Sequence, residues 1–535
     1  MITARLRMLA VPILSAGLLL AGRAEAAPPA GEEVAAVMRR ATTFMVEKVS
    51  TNGGYVWSYL PDLSRRWGEM EAKPTMAWVQ APGTPEMGQI FLDAYHATGD
   101  QYYYQAAEKA AAALVWGQHP TGGWNYVIDF AGEASLRDWY ETVGRNGWRL
   151  EEFQHYYGNA TFDDHGTIES GKFLLRLYLE KRDPKYRPAL DKAVSFVLDS
   201  QYPNGGWPQR WPHTHEFQKK GKPDYTGYVT FNDEVHAENM EFLLMVYQTL
   251  GDARVLEPLD RAMDLVLVTQ WGQPTPGWSL QYTPDLQPAG ARTYEPRSIA
   301  THTTAANLKL LMDFYELTGE TRFLARVPEA IDWLEKVVAP PATHTKDGRT
   351  HFTHMEVGTN RPLFVRRRGS NVENGEYYVD YDATGKMAER RVDTVGLRAR
   401  YERLRATPPE EASRNSPLKS PATAPLPRFV VTGDIVGSDL NTDTTARRAH
   451  DASRAEALVA GLNAEGYWPT ELRTTSNPYA GIGPAQPPAG FTDRGQVGDH
   501  TDTSPYTLPK GPMGISTGTY IRNMSMLIQY LEQAR

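Results

Sequence analysis

Two segments of this 535-residue chain carry adjacent oxygen-bearing side chains that could bind a metal ion. The first is TFDDHGT at residues 161–167 and the second is TFND at residues 230–233. A single aspartate at such a place is explained by helix capping and the helix dipole. Two equivalent loops that meet in space would instead offer the hard oxygen ligands that Ca²⁺ prefers. The pattern predicts a calcium site formed by side chains from Asp163, Asp164, Asn232 and Asp233.

Arg292 stands where the corresponding loops carry anions, in the stretch ARTYEPRS at residues 291–298. It has two interpretations. In one, the guanidinium forms a salt bridge with Glu295 or with one of the aspartates. In the other, it binds an anionic substrate that a metal ion holds from the opposite side.

A second basic segment follows at residues 359–369 and reads TNRPLFVRRRG. Three consecutive arginines usually belong to a solvated loop, but they would bind carboxylates if this loop faced the site. The histidines near the starts of the repeats are out of register with the aspartates, so we predict that they are polar neighbours rather than ligands: His165, His236 and His302.

Repeated helical hairpins must position these side chains. A helix ending in Gln, then Gly and Trp, recurs with its tryptophans at Trp124, Trp207 and Trp278, which are 83 and 71 positions apart. Acidic residues in the helix–helix turns, at positions 100, 183, 252 and 320, recur at similar intervals. Hairpins in series stack as a solenoid or close into a ring.

The end of the chain favours the ring. Gly466-Tyr467-Trp468-Pro469, with a final predicted helix over 517–533, repeats the pattern of the start, so the last hairpin can pack on the first. We therefore expect an all-α protein, an (α/α) toroid of helical hairpins with aromatic Gly-Gly-Trp loops gathered at one end.

The first 26 residues have the features of a signal peptide. Arg5 and Arg7 precede an apolar run at 8–20, and Ala24-Glu25-Ala26 has the small residues of a cleavage site. We expect export to the periplasm or the extracellular space. Residues 27–535 would form one toroid domain, with a proline-rich linker or insertion at 406–427 and closing helices in the tail.

Composition limits the partners. The formal charge of −8 becomes −10 without the leader, which argues against nucleic acid. No later stretch reaches the ~20 apolar residues of a membrane span. The absence of cysteine excludes disulfides, thiolate nucleophiles and Cys-ligated zinc. The 13 Trp and 28 Tyr would suit a groove that stacks sugar rings, although most should lie in the core. A monomer is expected.

Over residues 53–381 the sequence resembles polysaccharide lyase family 10, the pectate lyases with an (α/α) toroid. The motifs that carry the resemblance are YPNGGWPQRWP at 202–212, ATFDDHGT at 160–167, TFND at 230–233, and ARTYEPRS with TNRPLF at 291–298 and 359–364. The resemblance implies a secreted enzyme that cleaves polygalacturonate, or a related acidic polysaccharide, by calcium-assisted β-elimination.

The resemblance also implies roles for single residues. Asp163 and Asp233 would hold Ca²⁺, and Arg292 would be catalytic, either as the base or as an electrostatic clamp, since a guanidinium pKa is about 13.8. The residues expected at the substrate are Asp164, Asn232, Trp207, Arg361 and Arg367. Asp164 stands where the family commonly has Asn and Arg297 where it usually has Pro, which leaves room for a changed substrate.

Three other functions fit parts of the pattern. A terpene cyclase shares the Gly-x-Trp loops of a helical toroid, but its motif of spaced aspartates is absent. A glycoside hydrolase on the same toroid would use two carboxylates and need neither calcium nor arginine. A non-catalytic protein that binds uronans would keep the same site with an impaired centre.

Overall fold

A computed structural model describes residues 29–147, 150–214, 216–369, 372–419, 452–472, 486, 489 and 512–533. The predicted signal peptide, residues 1–26, and the second part of the proline-rich segment, residues 420–427, lie outside the described residues.

Helices dominate the described chain, and most follow one another as pairs. They are α1 (Gly31–Phe44), α2 (Thr84–Thr98), α3 (Gln101–Gly117), α4 (Glu133–Thr142), α5 (Gly166–Lys181), α6 (Arg187–Asp199), α7 (Val235–Leu250), α8 (Leu256–Thr269), α9 (Thr301–Thr318), α10 (Val327–Lys336), α11 (Thr394–Ala406), α12 (Pro409–Ala412), α13 (Ala452–Gly461) and α14 (Thr517–Gln533).

The strands are short and lie in the loops between helices. They are β1 (Ser58–Tyr59), β2 (Arg66–Trp67), β3 (Glu71–Ala72), β4 (Met76–Trp78), β5 (Val127–Asp129), β6 (Ala160–Thr161), β7 (Arg210–Trp211), β8 (Val229–Thr230), β9 (Gln281–Tyr282), β10 (Pro288–Ala289), β11 (Ile299–Ala300), β12 (His354–Met355), β13 (Pro362–Arg368), β14 (Glu376–Asp380), β15 (Thr470–Glu471) and β16 (Met513–Ser516). All described pairings between these strands are antiparallel.

The predicted (α/α) toroid is confirmed by how the helices pack. The hairpins α2/α3, α5/α6, α7/α8 and α9/α10 follow in series, and their first helices neighbour one another from α2 to α5 to α7. At the end of the chain α14 packs against α1 and α2, and β16 pairs with β1 through Ser516 and Ser58. The ring is therefore closed by a helix from each end of the chain: α1 from the start and α14 from the end pack together, and α14 packs against α2 of the first hairpin.

Each Gly-Gly-Trp loop is a structural joint between neighbouring hairpins. The indole N–H of Trp207 donates to the Val197 carbonyl at 2.8 Å, and that of Trp124 donates to Leu114 at 2.8 Å. Trp278 and Trp468 make the same bond with Val266 and Leu458. The repeated aromatic ring therefore fills the core at a fixed place in each copy.

The glycine in this loop lets it approach the next hairpin closely. Gly205 has φ 91°, and a Cβ there would lie 2.1 Å from the backbone oxygen of Arg261 in α8. Gln201 fixes the same loop, because its amide donates to the carbonyls of Gly205 at 3.0 Å and Pro258 at 2.9 Å. The Gln and Gly of the motif thus join one hairpin to the next.

Three of the four acidic turn residues cap the helical turn that follows. Asp100 caps α3 by accepting from the Tyr102 N–H, and Asp183 and Asp252 cap the corresponding turns. Glu320 makes no such bond. At the start of α2 the cap position is held by Gly83, which donates its N–H to the Glu86 side chain.

The first part of the proline-rich segment packs on the toroid. Residues 409–412 form α12, which lies against α9, and the Tyr315 hydroxyl donates to the Thr407 carbonyl at 2.6 Å. The one-domain organisation of residues 27–535 stays a prediction. Among the described helices, none combines the length and apolar character needed to span a membrane.

Candidate active site

The two acidic loops have the same backbone, and helix capping does not explain it. Asp164 and Asp233 both have φ 49°, and the residues that follow, His165 and Glu234, have φ 65° and 58°. Left-handed backbone costs energy at non-glycine residues and is concentrated at functional sites. No side chain caps α5 or α7 by a hydrogen bond. The strained turns instead aim the acidic side chains away from their own helix ends.

Arg292 lies inside a shell of carboxylates and is only 4% exposed. Its guanidinium reaches Asp163 Oδ2 at 2.6 Å, Glu295 Oε1 at 3.0 Å, Glu152 Oε2 at 3.3 Å and Asp233 Oδ2 at 3.5 Å. Burial alone would favour the neutral form, but these carboxylates outweigh it and raise the pKa of Arg292. In this arrangement Arg292 is charged and can donate hydrogen bonds but cannot accept a proton.

Asp163 is the most enclosed acid of the set, with no exposed surface. Burial opposes its charge, but the ion pair with Arg292 and the hydrogen bond from the Tyr126 hydroxyl at 2.5 Å prevail and hold the pKa of Asp163 below its usual range. Its other oxygen, Oδ1, has no hydrogen-bond partner although it is buried. A buried carboxylate oxygen without a partner is costly, so this atom is suited to a cation.

Asp164 and Asp233 have the opposite tendency. Burial, followed by the repulsion from Asp163, raises the pKa of each well above the usual range. Asp164 Oδ2 accepts from the Gln80 amide at 2.7 Å, and Gln80 also donates to Glu69 at 3.1 Å. The centre therefore has more carboxylates than Arg292 alone neutralises, so further positive charge would stabilise it.

Asn232 and Glu295 tie the second acidic loop to the turn that carries Arg292. The Asn232 amide donates to Asp233 Oδ2 at 2.7 Å and to Glu295 Oε1 at 3.2 Å. The turn itself is closed by the Glu295 N–H, which donates to the Arg292 carbonyl at 2.8 Å. The structure thus brings together Asp163, Asp164, Asn232, Asp233 and Arg292, although their roles stay predictions.

The donor set fits Ca²⁺. Asp163, Asp164 and Asp233 supply hard oxygen atoms, and the buried Oδ1 of Asp163 has no hydrogen-bond partner. Among the described residues, metal-ligand spacing is found in the neighbouring residues of these loops and α7, where the ligand atoms of His165, Glu234 and Glu238 fall within 4.8 Å of one another. His165 is therefore part of a group that could bind metal, contrary to the sequence-based expectation.

The other two histidines fit the expectation that they are not ligands. His236 is 1% exposed and bonds the Ala262 carbonyl at 3.0 Å, and burial lowers its pKa to about 4. Burial also lowers the pKa of His302, with Arg390 and His354 acting in the same direction.

Arg367 and Arg361 lie at opposite ends of β13. Arg367 is 2% exposed and pairs across the ladder with Tyr377, whose ring contacts the ring of Tyr294 beside the Arg292 turn at 5.4 Å. Arg361 instead stacks over Tyr381 at 3.5 Å. Six residues of extended chain separate the two arginines by about 20 Å. Arg361 is thus separated from Arg367 along the strand, and its predicted role at the substrate stays a prediction.

The predicted contact of Trp207 with substrate stays a prediction, and the burial of the ring argues against it. Its ring has no exposed surface, and its indole N–H is bonded within the core. Trp207 carries the strongest motif in the sequence, but the reason for the motif is the packing of hairpins.

Several residues of the site were missed. Glu152, Tyr126 and Gln80 contact Arg292, Asp163 and Asp164, respectively. Gln80 and Tyr126 lie in repeated loops, but their residue types differ from those of their counterparts. Glu151 accepts hydrogen bonds at 3.1 Å from the backbone N–H of Thr293 and so fixes the residue after Arg292. The one available signal was the pair Glu151-Glu152, since adjacent acids that are both buried require partners.

Comparisons with solved structures find several helical enzymes. A mutant of a family 10 polysaccharide lyase from Cellvibrio cellulosa, in complex with trigalacturonic acid, is 19% identical, with 60% of this chain and 98% of that chain covered and a TM-score of 0.39. The GH76A α-1,6-mannanase of Salegentibacter sp. HEL1_6 is 13% identical over 94% of this chain and 99% of that chain, with a TM-score of 0.36.

The type II terpene cyclase MstE from Scytonema is 12% identical over 94% of this chain and 98% of that chain, with a TM-score of 0.30. Similarities at these TM-scores do not discriminate among the three activities. No curated protein sequence matches the chain.

The match to a family model is more specific. The pectic acid lyase model matches residues 132–393, a region that holds both acidic loops, Glu152 and the Arg292 turn. Residues 132–393, just under half of the chain, are similar to the pectic acid lyase family, and this match supports a polysaccharide lyase.

Proposed function

We propose that this protein is an exported pectate lyase that cleaves polygalacturonate by calcium-assisted β-elimination. The observation that carries the proposal is the convergence of Asp163, Asp233 and Arg292 on one buried centre rich in carboxylates. The family match adds independent support, because it covers all three residues.

The reaction removes the proton that lies α to the uronate carboxylate. Its electron pair forms a carbon–carbon double bond, the glycosidic carbon–oxygen bond breaks, and the leaving oxygen takes up a proton. Negative charge grows on the carboxylate in the transition state, so fixed positive groups accelerate the step. Ca²⁺, held by Asp163 and Asp233, would neutralise that carboxylate and acidify the α proton.

The chain's own residues position Arg292 for such an anion. Asp163, Glu152 and Glu295 hold three different nitrogens of the guanidinium, which fixes the plane of the group. While these contacts persist, Arg292 acts as a charged clamp. To act as the base, Arg292 would have to be deprotonated, which requires that these carboxylates move away from it or bind another cation.

The Arg292→Lys variant separates the two roles. If Arg292 accepts the proton, lysine, with its lower ordinary pKa of about 10.4, should shift the pH–rate profile toward acid and keep turnover at lower pH. If Arg292 is a clamp, the variant should lose rate because lysine lacks the planar fork, and the position of the profile should not change.

The decisive experiment follows the ultraviolet absorbance of polygalacturonate with the full-length protein, in Ca²⁺ and then in chelator. The unsaturated product should appear with Ca²⁺ and stop with chelator. Arg292→Ala should abolish it, whereas Arg254→Ala, an exposed arginine paired with Asp252, should not. Turnover retained by Arg292→Ala in a folded protein would refute the proposed role.

A glycoside hydrolase is the second candidate, and one observation favours it. The adjacent acids Asp163 and Asp164 have pKa values displaced in opposite directions, which is the arrangement of an acid and base pair. New reducing ends without ultraviolet absorbance would identify hydrolysis. If neither signal appears while polygalacturonate still binds, the protein is a uronan-binding protein.

Export is part of the proposal and rests on the sequence of residues 1–26. Expression with the native leader should yield a mature protein that begins at or near residue 27 outside the cytoplasm. Amino-terminal sequencing of the secreted product tests this, and an intact leader on the cell-associated protein would contradict it.

A further inference from the structure

A lysine-rich hairpin lies beside the Arg292 turn and has no role in the chemistry above. We call residues 217–224, FQKKGKPD, the lysine hairpin. Lys219 and Lys222 exchange two backbone hydrogen bonds of 3.1 and 2.9 Å. The two central residues, Lys220 and Gly221, have φ 47° and 78°, which is the pattern of a type I′ turn. The tip is therefore a defined turn and presents its lysines in fixed directions.

The base of the lysine hairpin is anchored to the protein. The ring of Phe217 stacks on His155, with the ring centres 4.0 Å apart and the planes 9° from parallel. The Phe217 N–H donates to Asp224 Oδ2 at 3.1 Å. An anchored base and a tight turn leave the tip little freedom, so a ligand bound there would cost little ordering.

The tip docks on the turn that carries the candidate catalytic residue. Lys222 Nζ donates to the Thr293 carbonyl at 3.1 Å, and Thr293 directly follows Arg292. Glu151 accepts from the Thr293 N–H at 3.1 Å and is the carboxylate that acts electrostatically on all three lysines. Lys220 also lies within electrostatic reach of Glu376 on β14. The hairpin thus sits between the Arg292 turn and β14.

Lys219 has the fewest acidic neighbours of the three lysines. The acid that acts on it is Glu151, whose carboxylate already accepts hydrogen bonds from Thr293, whereas Lys220 also faces Glu376 and Lys222 also faces Glu295. Partial burial outweighs the attraction to Glu151 and lowers the pKa of Lys219 to about 8. A carboxylate from outside the protein would stabilise the charged form of Lys219.

We infer that the lysine hairpin binds the carboxylate of a second uronate unit, next to the unit held at Arg292. Lys219 makes the principal contact, while Lys222 fixes the hairpin to the Arg292 turn. This inference rests on the proposed function for its substrate, an acidic polysaccharide, but it concerns binding rather than elimination. It gives this protein a subsite that selects for charge on a neighbouring sugar and therefore discriminates against methyl-esterified chains.

Binding is measured directly on the full-length protein, so that the result does not depend on turnover. Affinity for polygalacturonate, for a methyl-esterified pectin and for a neutral glucan is determined for wild type, Lys219→Gln and Lys219→Arg. Lys219→Gln should bind polygalacturonate about tenfold more weakly, because it removes one charge-assisted contact. Lys219→Arg should restore most of the affinity. Lys336→Gln, an exposed lysine at the end of α10, should match wild type.

The outcomes separate the subsite from the proposed lyase function. If wild type binds polygalacturonate and Lys219→Gln binds it equally, the subsite is refuted and the proposed lyase function stands. If the variant binds more weakly but wild type shows no elimination, the subsite stands and the lyase function fails. If wild type binds none of the polymers, both are refuted. Equal losses for polygalacturonate and for methyl-esterified pectin would also refute the subsite, since the contact would not be with a carboxylate.

Discussion

The toroid contains two kinds of repeated loop, and they differ in what is kept from one copy to the next. The Gly-Gly-Trp loops keep their tryptophan and its contact, because the indole N–H of Trp124, Trp207, Trp278 and Trp468 each donates to a carbonyl of the preceding helix. The acidic loops keep their backbone but change their side chains. Repetition therefore marks the scaffold here, and divergence within a repeated backbone marks the site.

The divergence can be located at one equivalent position. The N–H groups of Trp78, Thr161, Thr230 and Ala300 donate to the carbonyls of Tyr55, Trp124, Trp207 and Trp278, which aligns four loops. Two residues further on, the four copies carry Gln80, Asp163, Asn232 and His302. Two are neutral amides that bridge acids, and the single carboxylate is the one that holds Arg292.

Exchanging the side chains of the two acidic loops should give the largest effect. Asp163→Asn makes the first loop resemble the second, and it removes both the partner of Arg292 and the partnerless oxygen suited to a cation. Turnover should fall about 100-fold or more, the size expected for a lost electrostatic contact at a reacting centre. Initial rates of product absorbance measure this at several Ca²⁺ concentrations.

The reverse exchange is the matched control. Asn232→Asp adds a carboxylate beside Glu295 and Asp233 but leaves the Asp163–Arg292 pair in place. Its rate should fall less than tenfold. An equal fall of turnover in the two variants would show that any change of charge disturbs the centre. Asp163 would then have no role that the other residues of the two loops lack.

The scaffold loops should respond in stability and not in chemistry. Gly205→Ala combines φ 91° with a Cβ placed 2.1 Å from a backbone oxygen, so the free energy of unfolding should fall by about 3 kcal/mol or more. Gly99→Ala also has positive φ, 74°, but meets no atom within 4 Å and should cost about 1 kcal/mol. Urea denaturation compares the two. Similar losses would mean that the close approach to α8 is easily relieved.

Helix α2 contains a buried acid, Glu86, that should make the stability of the fold depend on pH independently of the reaction. Glu86 in α2 is 2% exposed, and burial, followed by the nearby Glu169, raises its pKa to about 8. The folded carboxyl keeps its proton up to about pH 8, whereas the unfolded one releases it near its ordinary value of 4.5. Between these values the free energy of unfolding must therefore fall as the pH rises.

The Glu86→Gln variant should not show this fall of the free energy of unfolding with rising pH. Its stability relative to wild type should rise by about 2 kcal/mol between pH 5 and pH 8, because the amide is never charged and can still accept from the Gly83 N–H. Glu32→Gln, in the exposed first turn of α1, controls for general effects of charge. Parallel stability curves for wild type and Glu86→Gln would show that Glu86 is ionised in the folded protein.

Trp207→Phe asks whether the aromatic motif has any part in binding. A smaller ring in a fully buried position, without the N–H bond to Val197, should lower the free energy of unfolding by about 1.5 kcal/mol. The KM for polygalacturonate should be unchanged. A rise in KM in the folded variant would restore the substrate role that the burial of Trp207 denies it.

Sequence analysis succeeded where a repeat constrains the chain. The hairpins, the final helix Thr517–Gln533 and the meeting of Asp163, Asp233 and Arg292 all follow from the periodic pattern of hairpins and loops. Glu152 could not be found in this way, because it lies outside the repeated loops. Tyr126 follows Trp124 in a repeated loop, but the corresponding residues after Trp207 and Trp278 are Gln209 and Leu280, so the repeat gave no signal for it. Proximity in sequence was misleading at β13, where an extended strand carries Arg361 away from Arg367.

The smallest expected effect concerns Asp164, the acid at the left-handed position of the first loop. Burial, followed by the neighbouring carboxylates, raises the pKa of Asp164 and so favours its uncharged form, and asparagine reproduces its shape and its tolerance of positive φ without a charge. Asp164→Asn should keep its contact with Gln80 and change turnover by no more than about threefold.

Asp164→Val, which disfavours φ 49°, should lose stability by about 1–2 kcal/mol. If Asp164→Asn instead abolished turnover while remaining folded, the ionised form of Asp164 would be required. Asp233, the equivalent residue of the second loop, has the same backbone and a pKa raised in the same direction, so the same requirement would then be expected of Asp233.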